Sequence, residues 1–194
     1  MNNLKNIFLV LSTVISLSAY FVGIRFIFKG SFRPQRITWF LMAVISALFV
    51  ATLLAQGDRN AVWLASAIFV GNFLIFLLSI KNGIGGKSKS DMVVLLVVVI
   101  SLLVWYITKN PLLALVMSII ADFIAFLPTM IKSWFLPWTE EWMFYVFGIV
   151  SSFLNLLSLS VFNFEKSIFL IYFLLSNIAL VLIIVLRRKY IKTL

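Results

Sequence analysis

The chain has 194 residues, of which 63% are apolar and 11% charged, against the quarter expected of a soluble domain, so soluble globular classes are excluded. It contains neither cysteine nor histidine. That removes disulfides, thiolate and imidazole metal sites and any Ser-His or Cys-His nucleophile; no metal or cofactor is implied, and the chain is not read as an enzyme.

A hydrocarbon core about 30 Å thick is crossed by about 20 helical residues. Windows of that length pick out seven apolar runs: Ile7–Phe28, Ile37–Ala55, Ala61–Ile80, Met92–Thr108, Pro111–Ile131, Glu141–Phe162 and Ser167–Leu186. Polar, Gly- or Pro-bearing connections separate them, and backbone groups cannot stay unpaired in lipid, so each run is expected to be helical. Lys5 precedes the first run as in a signal peptide, but the run is too long and lacks a small-x-small cleavage site, so it is read as retained.

The formal charge of +10 is mostly a topology signal. Twelve Lys and Arg fall on one side (Arg25, Lys29, Arg33, Arg36, Lys81, Lys87, Lys89, Lys132, Arg187, Arg188, Lys189, Lys192) and four on the other (Lys5, Arg59, Lys109, Lys166). The positive-inside rule then puts the C-terminus in the cytoplasm and the N-terminus outside, in a plasma or inner membrane. The basic residues are expected to meet lipid headgroups, not nucleic acid.

An offset of 103 lays the chain on itself: Lys29 meets Lys132, Pro34 meets Pro137 and Trp39 meets Trp142. With two residues of slippage, Asn72 meets Asn177 and Gly71 meets Ser176. Runs one to three thus form one repeat (1–80) and runs five to seven another (110–194). A three-helix unit that starts outside finishes inside, so a second copy in the same orientation needs one extra crossing. Residues 81–109, with the almost wholly apolar fourth run, supply it. The expected fold is all-α and integral to the membrane, with seven transmembrane helices as two parallel three-helix repeats joined by a linker helix.

This layout resembles the SWEET and SemiSWEET transporters of the PQ-loop-like superfamily. Leu127-Pro128-Thr129-Met130-Ile131-Lys132 is similar to the family's Leu-Pro-Gln-ϕ-ϕ-Lys segment, with Thr129 in place of Gln. The resemblance implies that Asn72 and Asn177 face a substrate. The first repeat departs from the pattern, with Arg25 where the second has Pro128, and Trp39 and Trp142 lie at helix starts and not in mid-membrane.

Asp122 is the one carboxylate inside a run, and Ser118, Asp122, Ala125 and Thr129 share a helix face. A buried carboxylate is costly in lipid, so Asp122 reads either as a proton-coupling or substrate-contacting group or as a structural acceptor. Asn72 and Asn177 offer two donors and an acceptor each; Asn155, with Ser151 and Ser158 and with Thr52 as its match, is a weaker lining candidate. Pro128 reads as a hinge or an inert kink. Ser12, Ser16, Ala19 and Gly23 make a face for close helix packing, and Trp39, Trp63, Trp134, Trp138 and Trp142 read as interfacial anchors.

Gly85-Gly86-Lys87-Ser88 lacks the spacing of a phosphate loop and reads as a flexible linker. Glu140 and Glu141 read as partnerless loop carboxylates favouring the N-terminal end of the next helix through its dipole. The expected function is a carrier for a small solute, sugar-like or another small polar molecule, working by alternating access between two three-helix bundles. The alternative is a non-transporting seven-helix receptor or structural membrane protein. Partners are the bilayer, the solute and, compatibly with the layout, a second copy of the chain as a homo-oligomer.

Overall fold

A computed structural model describes residues 2–56, 59–86, 111–159, 162 and 164–192, with single positions between 92 and 107. The expectation of helices is met. The described residues form α1 (Asn2–Phe28), α2 (Arg36–Gln56), α3 (Arg59–Asn82), α4 (Pro111–Phe135), α5 (Trp142–Ser158) and α6 (Phe164–Lys192). Among them there is no strand beyond an isolated parallel bridge between Gln35 and Ile84. The fourth apolar run falls largely outside the described residues, as do Lys87 and Ser88 and the side chains of Thr52, Trp63 and Ser118.

Helix ends follow local chemistry. α1 stops at Gly30, whose φ of 76° suits a residue without Cβ, and the Gly30 N–H closes the last turn on the Ile27 carbonyl at 2.9 Å. Pro137 opens a short 3-10 turn (Pro137–Thr139) between α4 and α5. The Glu141 carboxylate then accepts from the Met143 N–H at 3.3 Å and caps α5. α5 ends four residues before the expected Phe162. Leu159 turns its N–H onto the Leu156 carbonyl, and the Ser158 hydroxyl bonds to the Asn155 carbonyl, so the last turn tightens there.

α1, 27 residues, and α6, 29 residues, extend about 40 Å or more at 1.5 Å per residue. Both are long and apolar enough to cross a membrane over Asn3–Phe28 and Ser167–Ile191. Their outer faces leave Phe21 77%, Phe28 73% and Leu186 61% exposed, an apolar surface suited to lipid. The chain is membrane-associated.

The helices pack with an internal correspondence. Among the described residues the backbone of α3 lies close to both α1 and α2, and that of α6 close to both α4 and α5, while α4 and α5 meet through side chains, as Phe126 does with Tyr145. Between the halves, α1 packs along α5 and α2 against α4. Among the described residues, the close helix approaches of one half therefore have equivalents in the other. Ile27, Phe32, Trp39 and Ile75 form one core with Tyr20 and Phe144 at its edge; Tyr145, Leu180 and Ile184 form another with Phe126 and Met130. Ile37 and Leu41 of α2 meet Ala121 and Ala125 of α4 in a third core that joins the halves.

Candidate functional site

The mid-helix polar residues are tied, not loose. Asn72 is buried in α3, where its Oδ1 accepts from the Tyr20 hydroxyl of α1 at 2.9 Å. Its Nδ2 donates to Ser46 Oγ at 3.3 Å and to the Met42 carbonyl at 3.4 Å, both on α2. One amide thus links three helices. Gly71 makes this geometry available: a Cβ there would come within 2.6 Å of the Tyr20 ring.

Asn177, also buried, donates to the Phe173 carbonyl of its own helix at 2.7 Å. Its Oδ1 lies against Gly148 of α5, where a Cβ would approach to 2.8 Å. Asp122 accepts from the Tyr172 hydroxyl at 2.7 Å and so links α4 to α6, as Tyr20 and Asn72 link α1 to α3. Asn155 keeps its bonds local: its carbonyl and Oδ1 both accept from Ser158, at 2.7 and 3.3 Å. α3 and α6 do not pack against each other, so Asn72 and Asn177 stand on separate bundles, each with its own partners.

Where the halves meet, aromatic rings dominate. Phe144 of α5 lies 6.0 Å from Tyr20, 5.9 Å from Phe32 and 5.4 Å from Trp39, ring centre to ring centre. The anchor reading of Trp39 is corrected here: it is 5% exposed, because Phe32 folds back from the loop and Phe144 crosses from the other half to cover it. Its Nε1 finds no acceptor among the described residues. Trp134, Trp138 and Trp142 are exposed. Ser12, Ala19 and Gly23 are buried. Ser12 takes the Ser151 hydroxyl of α5 on its carbonyl at 2.9 Å, and Gly23 leaves only room for Phe144.

At the loop end the halves are joined by a buried polar clasp. The Thr38 hydroxyl of α2 donates to the Ala125 carbonyl of α4 at 2.8 Å, and the Thr129 hydroxyl donates to Thr38 at 2.9 Å. This brace sits beside Pro128, which lies inside the continuous helix α4 and removes one backbone donor there. The Arg33 N–H donates to the Thr139 carbonyl at 2.7 Å, and Lys132 Nζ donates to the Arg33 carbonyl. Lys132 also forms an ion pair with Glu140, whose other oxygen accepts from Tyr145 at 2.6 Å. Arg188 of α6 donates to the carbonyls of Pro137, at 3.0 Å, and Glu140.

Glu140 is therefore not a partnerless loop carboxylate. It is fully buried, because the 3-10 turn at Pro137 folds it under α4. Burial pushes its carboxyl above the ordinary range, opposed by Lys132, Tyr145 and Arg188. Only Glu141 caps the helix. The Gly85-Gly86 segment is likewise held: the Ile84 N–H bonds to the Pro34 carbonyl at 2.9 Å, and Arg36 donates to the carbonyls of Ser79 and Gly85, both at 3.0 Å.

The opposite charges on either side of Pro137 were the available signal for the ion pair; nothing in the sequence points to the bond between Thr38 and Thr129. Comparisons with protein-family models, with curated proteins and with solved structures find no match.

Proposed function

We propose that this chain is a carrier for a small uncharged or weakly charged solute, in which two three-helix bundles rock about their common face. In full the layout is seven transmembrane helices, three plus one plus three, similar to that of SWEET and SemiSWEET transporters, with the loop clasp on the cytoplasmic side. The observation that supports this is the equivalence of helix packing in the two halves. Two like units meeting along one face have two ways of tilting, which is what alternating access requires.

Recognition falls to the line of groups that runs from Asn72 through Tyr20 and Phe144 to Trp39. It combines aromatic faces with an amide and an indole donor that has no acceptor of its own, a combination suited to hydroxyl or carbonyl groups on a small molecule. Asn177 and Asp122 are the corresponding polar groups of the second bundle, and Asp122 is the candidate for proton coupling. Asn155 is the outlying member, and Pro128 the hinge.

A second reading, a receptor or structural membrane protein, draws on the complete bonding of Asn72. Uptake into proteoliposomes, screened over sugars and amino acids, separates the two. The carrier shows saturable flux for at least one solute, reduced by Asn72→Ala and by Trp39→Phe. Absence of flux for the whole panel favours the second reading.

A further inference from the structure

Outside the interface between the halves, α1 and α3 enclose an open groove of about 380 Å³, lined by residues that include Leu17, Tyr20, Ile24, Ala67, Gly71 and Leu74. Its lining is almost wholly apolar, since the Tyr20 hydroxyl is turned away to Asn72. The two helices run in the same direction: Tyr20 lies on Gly71 and Gly23 faces Ile75. From Leu17 to Ile24 the groove follows about 10 Å of helix axis.

Beyond the groove the two helices become basic. Arg25 lies one turn past Phe21 on α1, and Lys81 follows Leu74 by two turns on the same side of α3, whereas Lys29, past the end of α1, lies over the Phe26 ring. At 1.5 Å per residue Arg25 lies about 8 Å beyond Tyr20 and Lys81 about 15 Å beyond Gly71, both towards the same mouth of the groove. Both basic side chains are exposed. Neither α1 nor α3 contains an Asp or Glu, and the ion pair found among the described residues is that of Lys132 with Glu140.

We propose that this groove binds an anionic phospholipid, one acyl chain lying between α1 and α3 and the headgroup phosphate resting on Arg25 and Lys81. Charge complementarity selects the occupant. A second copy of the chain meeting this face in the same membrane would set these two cations against two, whereas a lipid of the negatively charged leaflet brings the opposite charge and an apolar chain. The proposal rests on the membrane reading of the chain and not on transport.

Native mass spectrometry of the full chain in detergent, with equal amounts of palmitoyl-oleoyl phosphatidylglycerol and the matching phosphatidylcholine, tests it. Phosphatidylglycerol adducts are expected to dominate, and each of Arg25→Gln and Lys81→Gln lowers that preference about fivefold. Ala67→Phe, which fills the groove, removes adducts of both lipids, whereas Lys189→Gln on α6 leaves the preference intact. Inorganic phosphate does not compete, since it lacks the chain.

Equal adducts of the two lipids overturn the proposal, as does a preference that survives both the single Gln variants and Ala67→Phe. Flux measurements do not enter: the lipid preference holds or fails whether or not any solute is carried.

Discussion

The fate of two tryptophans shows how far side-chain environment departs from position. Trp39 and Trp142 align at the offset of 103 residues, yet Trp39 is buried at 5% exposure and Trp142 is open at 37%. Trp39→Ala is expected to cost about 3–5 kcal/mol, as for a large aromatic removed from a core. Trp142→Ala is expected to cost about 0.5 kcal/mol; thermal unfolding in detergent compares them. The ion pair of Lys132 and Glu140 is the other decisive contact. Glu140→Gln strands a buried ammonium, so a loss of about 3–5 kcal/mol is expected, and adding Lys132→Met recovers most of it. Asp122, Asn72 and Asn177 were readable because polar groups are conspicuous in apolar runs. Their partners were not: Tyr20, Ser46 and Tyr172 are ordinary residues until the packing brings them within bonding distance.

Helix positions were readable to within a turn wherever a Gly or Pro stopped the apolar run, as at Gly30 and Pro137. They were less so at the end of α5, where apolar residues continue past Ser158 and only the local hydrogen bonds end the helix. α4 shows what periodicity cannot tell. The helix runs unbroken through Pro128, and the brace comes from α2, through Thr38. Thr38→Val removes both the donor to Ala125 and the acceptor for Thr129, and is expected to cost about 1–3 kcal/mol. Because paired removal leaves no stranded hydroxyl, Thr38→Val with Thr129→Val is expected to sit closer to the parent protein than Thr38→Val alone. A double-mutant cycle on unfolding free energies measures the difference. An additive result would show that the two threonines do not act together.

Across the molecule, the close helix approaches of the first half have counterparts in the second among the described residues, although the residues making those contacts differ. The first half closes its loop end with Arg36 on Ser79 and Gly85, the second with Arg188 on Pro137 and Glu140. The helix approaches correspond while the bonds at the two loop ends differ, and few identities align at the offset of 103. The clasp ties the loop before α2 to the loop before α5 through Arg33 and Thr139, and the proposed rocking of the bundles would part them. The native chain has no cysteine, so Arg33→Cys with Thr139→Cys gives a single cross-link. Solute uptake by this double variant in proteoliposomes, before and after oxidation, is the decisive measurement. Flux that stops on oxidation and returns with reductant is the predicted result; flux that continues through the closed cross-link, or no flux for any solute in the reduced protein, would contradict rocking about this face.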